Sequence, residues 1–346
     1  MDHPLRKVLQ RVLGTAGLVL VPGLLAASAN AQAARPASAP AHASRHIYVT
    51  NYLDNTLSVI NPQTSKVTAT VPAGTAPAGI AVTPDHSRLY VADMGSARIS
   101  VLSTASNKIV ATVPVGRKPT GVALSPDGRH LYAANGGSDS VSVIDTRTNR
   151  VTATIPVGTS PVSVAVSRDG TTAYVANLGS ASVSVIGTRA SRVVRTLPAG
   201  HCPAAVTATS SRGPVFVANE VNATVSVISP RTGKIIARVP TGEGPFDVTL
   251  APSGGPTAYV AVLGPGNVSA ISTRTHRIAG TVSVGPPGTD PFSIAVTPTA
   301  VYVADQGANT LSVINPGTLK VIATINVGNS PYGVAADPQP PSAAFP

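Results

Sequence analysis

The amino-acid sequence predicts an all-β fold, a seven-bladed β-propeller of four-stranded antiparallel blades, and three observations carry that prediction. A short stretch led by an aromatic residue recurs seven times, as YVTN, YVAD, YAAN, YVAN, FVAN, YVAV and YVAD, with its aromatic at Tyr48, Tyr90, Tyr132, Tyr174, Phe216, Tyr259 and Tyr302. The steps between them are 42, 42, 42, 42, 43 and 43 residues, the length of a propeller blade rather than of a solenoid turn or a kelch unit. Within one period, residues 161–199, four β-branched runs alternate with turn residues: PVSVAVS, AYVAN, VSVIGT and VVRTLP.

These runs are strands A (innermost), B, C and D (outermost) of one blade. Because a blade is covered on both faces, strands such as YVAN and GVAL should be nearly all apolar, and the outer strands can alternate, as TVSVI does. SPDG at Ser125–Gly128 and SRDG at Ser167–Gly170 read as A–B hairpin turns. The first repeat element is a B strand, HIYVTN, and the last is an A strand in residues 330–338, SPYGVAADP. The C-terminal strand is thus expected to pair beside the N-terminal strands and close the ring without a free edge. Seven repeats over 46–338 leave no room for a second domain.

Composition fits a packed β protein without a disulfide: 43% hydrophobic residues, 3% aromatic, no Trp and one Cys, with 31 Gly and 32 Pro to supply turns. At the N-terminus, Arg6, Lys7 and Arg11 precede an apolar run from Val12 to Ala27 and the small residues ASANAQA. This reads as an export signal over 1–31, cleaved after Ala31 or Ala33, with an uncleaved anchor as the alternative. Residues 32–45 read as a disordered Ala/Pro/Ser linker and 339–346 as a disordered tail. The mature chain, with no further spanning segment, is expected to be monomeric and secreted, periplasmic or at the cell surface.

The recurring stretch ends on Asn51, Asp93, Asn135, Asn177, Asn219 or Asp305 in six repeats, and on Val262 in the other. A role repeated in every blade is structural: a short polar side chain that holds the backbone of the following loop, as Asx turns do. The sequence implies no catalytic set, metal site or cofactor. The chain has two Glu, Glu220 and Glu243, no G-x-S-x-G, and its His residues lack zinc-ligand spacing. His201 and Cys202 are adjacent by incidental placement.

Departures from the repeat carry more information. After the Pro that opens each A strand stand Ala78, Thr120, Val162, Ala204, Phe246, Phe292 and Tyr332, so three consecutive blades carry aromatics. One position on, Asp247 replaces the small residue of every other blade. Phe246, Asp247, Asp290, Phe292 and Tyr332, with Glu243 nearby, are therefore candidates either to line a pocket at the channel mouth or to plug it.

Net charge is +11, and the strand order sorts it. The D–A and B–C loops are acidic, and the A–B and C–D loops are basic. Arg147, Arg150, Arg189, Arg192, Arg231, Lys234, Arg274 and Arg277 are candidates to hold a polyanion, nucleic acid or cell-wall polymer. Aromatics for base stacking are missing from those loops, and simple solubility is the competing reading.

With YVTN, SVI, ATIPVG and SPDG, the chain from Arg45 to Pro338 resembles the YVTN-repeat family of exported seven-bladed propellers, known from bacterial exported and archaeal surface-layer proteins. That family is similar in fold to lactonase and quinoprotein amine dehydrogenase propellers. The resemblance implies architecture more than activity. The expected function is an exported, non-enzymatic binding or scaffold propeller whose partner is a small ligand, an anionic envelope polymer or a protein. The alternative is a lactonase-like hydrolase with Asp247 at the channel mouth.

Overall fold

The computed structural model describes residues 46–252 and 255–337. The expected leader, linker and tail lie outside them. The described residues contain 28 strands in seven four-stranded antiparallel sheets. Blades 2 to 7 are consecutive in the chain, beginning at Pro77, Pro119, Pro161, Pro203, Pro245 and Pro291. Blade 1 is composite: β28 (Pro331–Ala336) pairs with β1 (Ile47–Asn51), followed by β2 (Thr56–Asn61) and β3 (Lys66–Pro72). The expected closure is therefore present.

The described residues do not share a single core. Seven apolar clusters sit between neighbouring blades, such as Tyr90, Ile99 and Val101 of blade 2 against Leu131, Ala133 and Ile144 of blade 3. The repeat's leading aromatic spans each junction. The Tyr90 hydroxyl lies 3.2 Å from Thr146 O and 3.0 Å from Asn149 Oδ1 of the next blade. Tyr174 donates to Ser211 O at 3.1 Å. Phe216, which has no hydroxyl, meets the ring of His276 edge-on instead.

Burial corrects two expectations about the strands. Strand C, though its sequence alternates, is buried along its centre, and Ser58, Ser100, Ser142 and Ser184 are as hidden as their apolar neighbours. Alternation toward solvent belongs to strand D, as in β3. Strand A, expected to be covered on both faces, is half-exposed from Gly121 to Leu124 because it lines the channel.

The inner strands approach so closely that side chains are constrained where they meet. A Cβ on Gly79 would lie 2.3 Å from Thr120 O, and one on Gly333 2.4 Å from Ala78 O. Ser163 stands at the same position in blade 4, where its hydroxyl accepts from Val206 N at 3.3 Å.

The closure carries its own devices. Thr50, where the other blades have Ala, donates to Ala78 O at 2.7 Å and accepts from Gly333 N at 2.8 Å, tying β1, β28 and the next blade. Asp337 stands where Ser125 and Ser167 bond the first residue of strand B, and its Oδ2 accepts from His46 N at 2.9 Å. Its Oδ1 faces His86 Nδ1 of blade 2 at 3.6 Å.

We predict that a chain ending at Ser330 loses the cooperative melting of the intact protein, because β1 would be left with a bare edge inside the ring. Thr50→Ala should cost about 1–2 kcal/mol by denaturant titration, the loss of bridging hydrogen bonds at a buried site. An unchanged transition in the truncated chain would refute the closure.

Candidate functional site

The antiparallel order puts all B–C and D–A loops at one end of the ring and all A–B and C–D loops at the other. At the first end the polar residue that closes each YVTN stretch has a defined task, though a different one from that expected. Asn51 Nδ2 donates to Ser58 Oγ and Thr56 Oγ1, both at 2.9 Å, and its Oδ1 accepts from Gly328 N at 3.1 Å. It grips strand C and the loop entering strand A, not the backbone of the following loop. Asn135, Asn177 and Asn219 likewise reach Ser142, Ser184 and Ser226 at 2.9 Å. The loop glycine is required there, since a Cβ on Gly200 or Gly328 would lie 2.5 Å from the Asn side chain.

Asp93 and Asp305 take the same place as acceptors, from Ser100 and Ser312 at 2.7 Å. Each has a second oxygen, Oδ1, buried without a hydrogen-bond partner among the described residues. Burial pushes the Asp93 carboxyl up to about 6 and that of Asp305 up to about 7, against the opposing effect of the hydroxyl donors. Glu220, buried beside Cys202, is pushed up to about 7 by desolvation, and the Cys202 thiol is raised by burial and by Glu220. A raised thiol is a poor nucleophile.

The predicted aromatic residues do come together. Phe246 and Phe292 have ring centroids 4.0 Å apart, and Phe292 and Tyr332 4.5 Å. Tyr52, at the start of a B–C loop, extends the arc by stacking on Tyr332 at 5.7 Å. Sequence reading overlooked Tyr52, although its place is held by Met94, Gly136 and Leu178 in the next three blades. Phe292 is buried, while Phe246 and Tyr332 are half-exposed.

Of the predicted acidic residues, Asp247 bridges two blades. Asp247 Oδ2 accepts from Ile294 N of blade 7 at 2.7 Å. It thereby spans the same inner-strand junction that Gly79 and Gly333 fill by close approach. Burial pushes its carboxyl up to about 6, opposed by the backbone donors of Ile294 and Val248 and by Ser293. Asp290 has φ +50 in the residue before Pro291, a left-handed position found before the opening Pro of every blade. Its Oδ2 lies beside Gly307, over its own blade's B–C loop. Glu243 is exposed. Among the described residues, no three His, Cys, Asp or Glu side chains are grouped to hold a metal ion.

At the opposite end the eight predicted cations are all exposed and sit on the C–D hairpins of blades 3, 4, 5 and 6, two to a hairpin. The hairpins of blades 1, 2 and 7 carry one lysine each, Lys66, Lys108 and Lys320. The expected ring of charge is thus weighted into an arc over four consecutive blades. Neither of the two ion pairs among the described residues involves any of the eight.

Two carboxylates at that end, Asp145 and Asp169, are held by neutral donors. Asp145 accepts from Thr148 N at 2.7 Å and Thr148 Oγ1 at 2.8 Å. Asp169 is bonded by Ser167, Thr171 and Ser211. These hydrogen bonds hold both carboxyls below the usual range. Arg195 donates to the carbonyls of Pro230, Arg231 and Thr232, which braces one hairpin of the arc.

A family model described as Lactonase, 7-bladed beta-propeller matches residues 39–155. The chain is similar to that propeller type. No curated protein matches it. Among solved structures, Kuenenia stuttgartiensis hydrazine synthase superposes with a TM-score of 0.68 at 21% identity, over 74% of this chain and 88% of that one. A functionally unknown protein from Desulfotomaculum acetoxidans superposes with a TM-score of 0.74 at 17% identity, over 86% and 100%. The dihydro-heme d1 dehydrogenase NirN in complex with DHE gives 0.64 at 16%, over 84% and 75%. At these identities the likeness is one of fold.

The raised carboxyls set a pH dependence. Folding raises their pKa values, so the folded state holds protons that the unfolded chain has released; the stability they contribute is complete below about pH 4 and is lost as pH rises through 6 to 7. We predict that Asp93→Asn with Asp305→Asn, which restores the residue of four other blades, flattens the fall in melting temperature between pH 5 and 8. At pH 8 the double variant should gain about 1–2 kcal/mol per site after allowance for screening.

Proposed function

We propose that the protein is an exported, non-enzymatic binding propeller that rests on an anionic polymer of the cell envelope through its basic end. The observation that carries the proposal is the arc of exposed cations on four consecutive C–D hairpins, none of them in an ion pair among the described residues. Solubility alone asks for interspersed charges of both signs. Here Asp145 and Asp169 are tied down by hydroxyl and backbone donors, and the eight hairpin cations are exposed. A linear polyanion laid along the arc would release counterions as each charge is matched. Export is supported by Arg6, Lys7 and Arg11 before the Val12–Ala27 run, and N-terminal sequencing of secreted protein beginning at residue 32 or 34 would check it.

A second reading, a lactonase-like hydrolase with Asp247 at the channel mouth, takes its activity from the lactonase family model, whose match over residues 39–155 stops short of Asp247. Lactone hydrolysis abolished by Asp247→Asn, in protein that melts like the wild type, would establish it. The hydrogen bond that Asp247 accepts from Ile294 N, which bridges blades 6 and 7, supports the first reading.

We predict salt-sensitive binding to polyanions, weakened on the order of 10³-fold between 50 and 200 mM salt if most of the arc is engaged. Changing Arg147, Arg189, Arg231 and Arg274 to Glu should abolish it while leaving the melting temperature near that of the wild type. Undiminished binding by this variant, measured by titration calorimetry, would sink the proposal.

A further inference from the structure

A cleft of about 320 Å³ opens at the basic end where blade 2 meets blade 3, and it shares Arg147 with the first hairpin of the arc. Its volume is at the low end of small-molecule sites, room for one ring-sized unit. Its walls are fixed from both blades. Gly128, at φ +69, sits so close to Pro84 that a Cβ would lie 2.8 Å from the proline Cδ. Arg88 Nη1 donates to Thr146 O across the junction at 3.0 Å, which uses one of the five donors of its guanidinium. The buried Tyr90 hydroxyl, bonded to the same blade 3 hairpin, closes the inner side.

The lining also holds Asp85 and Asp127. Asp85 accepts from Thr83 Oγ1 at 2.5 Å and from Ser87 N and Oγ at 3.1 and 2.8 Å. Asp127 accepts from Ser125 Oγ at 2.5 Å and Arg129 N at 3.1 Å. The second oxygen of Asp127 also faces Arg129 Nε at 4.0 Å, a contact between exposed groups; each carboxylate is exposed and offers about four acceptor sites, so both retain capacity toward the cleft.

This donor and acceptor set selects a chemistry. Two carboxylates disfavour a bare inorganic anion, two guanidinium groups disfavour a cation, and the polar lining offers little to an apolar guest. A hydroxylated ring with one anionic substituent satisfies both halves: the substituent pairs with a guanidinium fork and the hydroxyls donate to the carboxylates. We infer that the cleft between blades 2 and 3 binds one acidic sugar unit, and that the anionic polymer of the arc is an acidic polysaccharide read at this point. The inference rests on the polyanion reading above, and it adds selectivity to a surface that otherwise measures only charge.

Three probes test it: a short oligogalacturonate, polyphosphate of matched charge and free galacturonate. Wild-type protein should bind the oligogalacturonate at least tenfold more tightly than the polyphosphate. Ser87→Phe, which fills the cleft from an exposed position, should remove that preference and leave polyphosphate binding unchanged. Equal affinity for the two polymers in wild-type protein, or a preference that survives Ser87→Phe, would overturn the inference while leaving the arc intact.

Free galacturonate separates the two proposals and does not depend on the Phe variant folding. Its amide shifts at Gly128 and Arg88, read by NMR, should persist when Arg189, Arg231 and Arg274 are changed to Glu, although that variant loses polyphosphate. Absence of those shifts in wild-type protein would dispose of the cleft. Polyphosphate binding by the triple variant would dispose of the arc.

Discussion

The structure depends on the bond, made in six of the seven blades, between the Asn or Asp that closes the YVTN stretch and the central serine of strand C. That serine is buried between blades, where an unpaired hydroxyl would cost free energy, and the Asn or Asp is equally buried, so each satisfies the other. In blades 1 and 5 the same Asn also holds the glycine N–H that starts the approach to strand A. One side chain thereby fixes strands B and C and the path into strand A. Repeated around the ring, this holds the inner strands near enough to touch.

Close approach of the inner strands explains residues that otherwise resemble a site. Where backbones touch, Gly79, Gly121 and Gly333 leave room for nothing larger. Asp247 occupies the same position, and its carboxylate reaches the next strand's N–H. Beside it Phe246, Phe292, Tyr332 and Tyr52 form an arc of touching rings, while Ala78, Thr120, Val162 and Ala204 hold the corresponding position in blades 2 to 5. The pattern break thus gathers aromatic rings on neighbouring blades, and its acidic member bridges two inner strands.

The two ends differ in how they treat charge. At the B–C and D–A end, burial raises carboxyls toward neutral pH. At the A–B and C–D end, hydroxyl and amide donors surround exposed carboxylates and keep them ionised, as at Asp145 and Asp169. Their local pairing leaves the arginines of the C–D hairpins open to an external anion. In the cleft beside Arg147, fixed donors and acceptors face the same space.

The sequence by itself determined the blade count, the strand order within a blade, the ring closure and the eight hairpin cations, because each is written in a local period or at a fixed offset within it. It also marked Phe246, Phe292 and Tyr332 as partners, since a position-by-position comparison of repeats reveals exceptions. Only the tertiary structure decided what those exceptions touch. The destination of Asp247, the stacking of Tyr52 on Tyr332, the burial of the strand C serines and the cleft under Arg88 all arise between blades. Residues about 42 positions apart in the chain meet there, and a one-blade pattern carries no record of the distance between neighbours.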